Sequence, residues 1–287
     1  MKMSERVADF HALDSRLRLS GVLVTRTALR IGSGGGDTQD AADLPVLRDA
    51  RRRPLIPGSS LKGVLRSTIE ALLRGATLDP ATGLWACDPH DEEEGSPERA
   101  CGSHRAGTRA SVDRARHCAA CRLFGSRVVA SHVRISDAQL LWDEESQRGL
   151  PLPIEVRDGV AIDRDLRVVS GAQKYDFEVV SAGSRFELEV FVENPRPWLL
   201  GLLAVGFEQI HEGFTALGGF TSRGLGRVEI RWTSLSRSTA RNLLDGSPPE
   251  VVAPPSLDDE FARWRAALAQ QARPSTASAA QPADRRA

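Results

Sequence analysis

Two thiols stand three positions apart in Cys118-Ala119-Ala120-Cys121, and Cys87 and Cys101 lie upstream; these are the only four cysteines in 287 residues. Thiolates at such spacing can close on one tetrahedral Zn²⁺, and a loop-rich stretch that lacks its own core gains order from that staple. The upstream spacings are long and unequal, so His90, His104 or His117 could replace one thiolate. Four cysteines are too few for a disulfide framework in a chain of this length. A thioredoxin-like redox pair is disfavoured, because His117 and Arg122 do not mark a strand-to-helix turn.

A second kind of chemistry is suggested by Ile56-Pro57-Gly58-Ser59-Ser60-Leu61-Lys62-Gly63. A glycine and two hydroxyls at a helix start offer backbone N–H groups, and Lys62 and Arg66 behind them complete a site suited to phosphate. The order Lys62-Gly63 is not that of a Walker A loop, which disfavours a nucleoside triphosphatase. The run Gly218-Gly219-Phe220-Thr221-Ser222-Arg223-Gly224-Leu225-Gly226 permits close approach of another backbone, and Arg223 can meet a phosphate there. Asp37, Asp40 and Asp43 occupy a glycine-rich loop just ahead of a basic stretch. A carboxylate beside an RNA phosphate can hold Mg²⁺ or help deprotonate a 2′-hydroxyl. No Gly-x-Ser-x-Gly elbow occurs, and His11, His132 and His211 are scattered without triad logic.

The elements that must position these residues follow from periodicity. Leu17, Leu19, Gly21 and Leu23, then Leu29 and Ile31, alternate with polar neighbours as a half-buried strand does. Ser59 and Ser60 are placed to cap a helix whose apolar positions are Leu61, Val64, Leu65, Ile69, Leu72 and Leu73, with Lys62, Arg66 and Glu70 on the opposite face and Gly75 at its end. Residues 76–120 read as a loop-rich insertion, Val128 to Leu141 as one or two strands, and residues 150–182 as an extended hairpin. Arg185 to Val192 alternates strictly, Trp198 to Phe214 is an apolar helix, and Leu225 to Trp232 is a closing strand. The order strand, helix, strand, strand, helix, strand points to a ferredoxin-like α+β sheet. A proline-rich tail from residue 234 holds a short helix around Leu257 to Ala272 and a Ser/Ala/Pro end expected to be disordered.

Composition constrains partners less than it first suggests. Lys and Arg number 38 and Asp and Glu 38, a formal net charge of zero. The charge is partitioned, however. Leu44 to Arg74 carries Arg48, Arg51, Arg52, Arg53, Lys62, Arg66 and Arg74 against Asp49 and Glu70, whereas Asp88, Asp91, Glu92, Glu93, Glu94 and Glu98 crowd the insertion against Arg99. No apolar stretch approaches the roughly 20 residues of a membrane span, and the charged N-terminus lacks a signal-peptide core. A cytoplasmic location is expected.

In their order along the chain these pieces resemble the RAMP superfamily, in particular the Csm-type backbone subunits of type III CRISPR effector complexes. The matching stretches are Ile31-Gly32-Ser33-Gly34, Asp43-Leu44-Pro45-Val46-Leu47-Arg48-Asp49, Ile56 to Gly63, Cys121-Arg122-Leu123-Phe124-Gly125-Ser126, Gly159 to Arg164 with Lys174-Tyr175-Asp176-Phe177-Glu178, and Gly218 to Gly226. The resemblance implies a modified ferredoxin-like (RRM-like) core over residues 17–233, after an N-terminal extension of residues 1–16 and before a tail of residues 234–287. It also implies a zinc-bearing insertion with Cys87, Cys101, Cys118 and Cys121 as ligands, and a thumb-like β-hairpin at 150–182. Copies of such a chain would stack along a guide RNA (crRNA) with other effector subunits, and Asp43 with Mg²⁺ or another divalent metal would cut target RNA through attack of the neighbouring 2′-hydroxyl. RNA contacts would fall to Arg48, Ser59, Ser60, Lys62, Arg66, Ser126, Gly219, Thr221, Ser222 and Arg223. Aromatic residues make up only 5% and the RRM aromatic motif is absent, so contact through the RNA backbone is expected rather than stacking on the sheet. A non-catalytic structural role in the same complex is the alternative. A third is processing of precursor RNA, with His132 or His211 as base.

Overall fold

The computed structural model describes residues 10–32, 42–78, 80–91, 93, 100–102, 117–143, 150–162 and 169–273. Asp37, Asp40, His104, most of the acidic stretch and the end of the tail lie outside the described residues.

Alternating apolar residues build the central sheet. β1 (Ser15–Thr25) turns Leu17, Leu19 and Leu23 inward, and β7 (Arg185–Glu193) does the same with Phe186, Leu188, Val190 and Val192, all at 1% exposure or less. Each such side chain contributes roughly 1.5–3 kcal/mol relative to exposure. β7 pairs antiparallel with β1 and with the short β3 (Val133–Ile135); β8 (Val228–Thr239) pairs antiparallel with the other side of β1, and β9 (Glu250–Val252) lines its far edge. The resulting order is β3-β7-β1-β8-β9. Val128 to Leu141 resolves into β3 and β4 (Ala138–Gln139), the latter paired with β2 (Leu55–Ile56).

The inner face is covered by α1 (Gly58–Gly75) and α3 (Pro197–His211), whose Leu61, Leu65, Ile69, Leu203, Phe207 and Ile210 join the sheet residues in one core. Mixed helix and antiparallel sheet is the expected α+β class. Residues 234–273 are more ordered than a proline-rich tail suggests. β8 runs through them to Thr239, followed by α4 (Ala240–Asp245), β9 and α5 (Ser256–Gln271), which buries Leu257 and Trp264 in the main core. No helix among the described residues is long and apolar enough to cross a membrane.

β5 (Ile154–Ile162) and β6 (Val169–Val180) form a separate antiparallel hairpin within the expected 150–182 segment. Its outer residues Val156 and Val160 are exposed, while its base sits in a small apolar cluster of Ala28, Phe177, Val179 and Leu225, with Leu44, Tyr175 and Phe220 around it.

Candidate nucleic-acid interface and metal centre

Three chain segments are stitched together at the base of the hairpin. Leu29 and Val180 exchange backbone hydrogen bonds of 2.8 and 2.7 Å, Leu44 donates to Asp176 O at 3.1 Å, and Glu178 donates to Leu44 O at 3.0 Å. Leu44 thereby pairs parallel with Phe177, and the preceding residue, Asp43, is delivered to the exposed lip of the hairpin. Its Oδ2 accepts the Asp176 N–H at 3.1 Å, which fixes the carboxylate; its other oxygen takes no hydrogen bond among the described residues. One open carboxylate oxygen in water suits a hard dication that keeps most of its waters and takes a phosphate oxygen, as Mg²⁺ does. Carboxylates crowd this lip. Asp176 titrates above its ordinary range, chiefly through a hydrogen bond with Asp158, then through partial loss of water and the charges of Asp158 and Asp43. Asp158 is held low, first by its hydrogen bond to Lys174, 3.1 Å away.

The strip that follows Asp43 is locked from below. Glu178, only 4% exposed, accepts the Val46 N–H at 3.0 Å through one oxygen and Arg48 Nη2 at 2.6 Å through the other. Arg48, expected at RNA, is thus committed to an internal ion pair and stands with a fifth of its side chain exposed. Its position is explained by Glu178, whose buried charge needs a partner.

The glycine-rich loop meets the same base. Gly218 has φ 78°, and a Cβ there would lie 2.2 Å from Arg30 O, so this approach requires glycine. Gly219 N–H donates to that carbonyl at 2.8 Å. Thr221–Arg223 form a 3-10 turn whose side chains are exposed, and Arg223 Nη1 donates to the Tyr175 hydroxyl at 2.9 Å. Phe220 packs edge-on against Phe177, with ring centroids 5.0 Å apart. Asp43, Gly219, Thr221, Ser222 and Arg223 are therefore neighbours of one hairpin base.

Helix α1 departs from the expected capping. Its N-cap is Pro57 with no side-chain cap, and the Gly58 N–H is taken at 2.8 Å by Asp137, a residue 79 positions away. A Cβ on Gly58 would lie 2.1 Å from Ile135 O, so glycine lets this strand end reach the helix start. Ser59 and Ser60 fall inside the first turn, Ser59 exposed and Ser60 half-buried. The charged residues opposite the apolar stripe of α1 are partly covered, with Lys62 and Arg66 half-buried and Glu70 buried. Lys62 Nζ donates to Ser131 Oγ at 2.9 Å, and its acidity is raised by burial and by Arg66. Arg66 donates to Glu70 at 2.7 Å, to Gly125 O at 3.1 Å and to Cys121 Sγ at 3.5 Å. Burial opposes its charge, but Glu70 and the neighbouring thiols outweigh that and keep it protonated. Ser126 accepts the Val128 and Val129 N–H groups at 3.3 Å and pairs with His117 Nε2 at 3.1 Å. Lys62, Arg66 and Ser126 therefore cluster around the loop at 125–131, apart from the hairpin lip.

Beneath that loop lie the thiols. Cys118 caps α2 (Ala119–Phe124), accepting the Cys121 N–H at 3.3 Å, and its own N–H donates to Cys101 Sγ at 3.3 Å. All four Sγ atoms lie within 4.8 Å of one another, with Cys87 3.6 Å from Cys121 and 3.7 Å from Cys118. A tetrahedral ion with metal–sulfur bonds of about 2.3 Å sets its ligands about 3.8 Å apart, so the cluster fits a metal. Hydrogen bonding to Cys101 is the leading cause that lowers the pKa of Cys87 and of Cys118, while hydrogen bonds led by those to Cys118 and Cys101 respectively raise the pKa of Cys101 and of Cys121. His117 serves Ser126 instead of the thiols, and His90 is exposed outside the cluster.

Sequence reasoning had no role for Glu178, Asp137, Ser131 or Arg30, whose partners are distant in the chain. His132 is buried with Nδ1 on Glu193 O at 2.7 Å, and His211 Nδ1 contacts Ile230 O at 3.0 Å, so each ring has one nitrogen engaged by backbone.

An antiparallel α+β core, a separate hairpin and a glycine-rich loop thus meet beside the exposed Asp43. The chain belongs to the RAMP superfamily, whose family model matches residues 22–229. It is similar to the protein named CRISPR system Cms endoribonuclease Csm3 in several organisms. The Methanocaldococcus jannaschii protein is 29% identical over 230 residues, 76% of this chain and 80% of the relative. The Mycobacterium tuberculosis protein is 28% identical over 254 residues, 81% and 93%, and that of Enterococcus italicus 28% over 231 residues, 75% and 90%.

Proposed function

We propose that this chain is a backbone subunit of a type III CRISPR ribonucleoprotein, which holds guide RNA through its sugar-phosphate backbone and cuts complementary target RNA at Asp43. The observation that carries this is the exposed Asp43 carboxylate, fixed at the hairpin base by the Asp176 N–H beside a glycine loop. The name endoribonuclease borne by the relatives agrees with it. The strand order, with β1 between β7 and β8, reads as the ferredoxin-like arrangement, and the β5–β6 hairpin as a thumb that wedges between bases.

In this reading Asp43 would hold a divalent metal, Mg²⁺ or a similar ion, which supplies charge neutralisation at the scissile phosphate and lowers the acidity barrier of the 2′-hydroxyl. The 2′-oxygen would attack the adjacent phosphorus as its proton passes to water, the P–O5′ bond would break as the leaving 5′-oxygen takes a proton from water, and the products would carry a 2′,3′-cyclic phosphate and a 5′-hydroxyl. The thumb's part is to splay the target so that this attack can be in line. Ser59, Ser60, Lys62, Ser126, Gly219, Thr221, Ser222 and Arg223 contribute phosphate and sugar contacts, which carry little sequence information and so accept any guide. Arg48 and Arg66 act through the segments they pin. The four thiolates, with no open position, read as a structural Zn²⁺ site that orders the insertion. Partners are guide RNA, target RNA, other effector subunits and further copies of this chain, in the cytoplasm.

The test is Asp43→Ala in the assembled, guide-loaded complex. Cleavage of target RNA should fall at least a hundredfold while assembly and target binding persist. Unchanged cutting by an intact complex would leave this chain a scaffold.

A further inference from the structure

Two guanidinium groups lie over one aromatic ring at the thumb base. The central carbon of Arg30 is 4.7 Å from the Phe220 centroid and that of Arg223 is 4.6 Å from it. Neither pairs with a carboxylate among the described residues. Arg223 donates to the Tyr175 hydroxyl at 2.9 Å, and Arg30 Nε, like that of Arg48, is buried with no hydrogen-bond partner among the described residues. Three other half-buried arginines are matched by acids, Arg48 by Glu178, Arg66 by Glu70 and Arg237 by Glu260.

Arg30 is also confined. A Cβ at Gly219 would stand 3.1 Å from its Nη1, and one at Gly32 would stand 3.3 Å from its Nη2, so the two glycines leave the space the guanidinium fills. Like charges sharing a ring repel, and the ring's attraction for each is weak where water competes. An anion from outside relieves both. The fork of a guanidinium matches two oxygens of a phosphodiester, which an ammonium does not.

We infer that Arg30 and Arg223 form a two-pronged site for one RNA backbone phosphate at the foot of the thumb. Phe177 packs on Phe220, and the adjacent Asp176 N–H holds Asp43, so this phosphate sits within the same apolar base as the proposed cleavage residue. The inference rests on the reading that the chain binds RNA, and adds to it a residue that fixes where the strand lies.

The experiment is equilibrium binding of guide-length single-stranded RNA to the full chain over a salt series, for wild type, Arg30→Gln, Arg30→Lys and Arg223→Gln. One lost phosphate contact should make the slope of log K against log salt shallower by about 0.7. For Arg30→Gln that change should accompany roughly tenfold weaker binding at moderate salt, a tenfold step being about 1.4 kcal/mol. Arg30→Lys should regain the slope but not the full affinity, since it restores charge without the fork. A merely structural Arg30 would change affinity and melting temperature but not slope. If Arg30→Gln destabilises the fold, Arg223→Gln, whose side chain is exposed, must show the same slope change. Wild-type slopes in both glutamine variants overturn the pair while leaving RNA binding intact. Failure of the wild type to bind RNA overturns the broader reading and the pair together.

Discussion

Replacing Glu178 by Gln tests whether Asp43 is positioned by an internal ion pair. The carboxamide keeps the side-chain volume and an oxygen for the Val46 N–H, so the change isolates the charge that faces Arg48 at 2.6 Å. Glu178 is 6% exposed at its side chain and Arg48 20%, so little water is available to replace the lost partner. Removing one member of a buried pair costs about 3–5 kcal/mol, and the partial exposure of Arg48 places this case near about 3 kcal/mol. With a urea slope of about 3 kcal/mol per molar for a chain of this size, the unfolding midpoint should drop by about 1 M. Arg48→Met in the same background should recover part of that loss, with a coupling energy of about 2 kcal/mol from the double-mutant cycle. Target cleavage should fall with Glu178→Gln because the strip from Asp43 to Arg48 loosens, while the salt slope of RNA binding stays at the wild-type value. A stability change below about 0.5 kcal/mol, the worth of an exposed pair, would refute the buried lock. A shallower salt slope in Arg48→Met would return Arg48 to the RNA.

Other outcomes follow from the same geometry. The purified chain should carry about one equivalent of zinc by elemental analysis, and Cys121→Ser should lose it together with several degrees of melting temperature. Arg66→Gln should speed metal transfer to a chelator severalfold, since its guanidinium lies 3.5 Å from Cys121 Sγ, and should leave the RNA salt slope unchanged. Gly218→Ala sets a Cβ 2.2 Å from Arg30 O at φ 78°, and a loss above about 1 kcal/mol in chemical unfolding is expected. Asp137→Ala should cost about 1 kcal/mol, read the same way, by leaving the Gly58 N–H without its acceptor.

What could be read from the sequence was whatever is local. Strict alternation marks β7 because its inward side chains all enter one core, and the Cys118–Cys121 spacing marks a shared centre because Cys118 caps α2 and Cys121 lies in its first turn. The α1 cap was misplaced because its acceptor, Asp137, arrives from the far end of β3, and no rule of helix starts contains a residue 79 positions away. Helical spacing puts Lys62, Arg66 and Glu70 opposite the apolar stripe but does not say what covers that face. The loop at 125–131 covers that second face, and Glu70 is 5% exposed. The tail was underestimated because proline counts against regular structure, whereas Leu257 and Trp264 on α5 are anchored by tertiary burial.

The same distinction decides where the protein is electropositive. The segment from Leu44 to Arg74 is rich in arginine, yet Arg53 is paired with Asp49, Arg66 with Glu70 and Arg48 with Glu178. Charge counted along the chain thus marks a stretch whose guanidiniums are partly spent on holding Asp43's strip and α1 in place. Arg30 and Arg223 lie outside it, and their charges face a ring and a phenol rather than a carboxylate. A phosphate that approaches the first group must displace an internal acid, at a desolvation cost of its own. One that approaches the second meets hydrogen-bond donors that have no carboxylate partner among the described residues. On the proposed reading the path of the RNA follows the arginines left without an acid among the described residues, and a net charge of zero is compatible with it because the matched ones contribute little to the field outside.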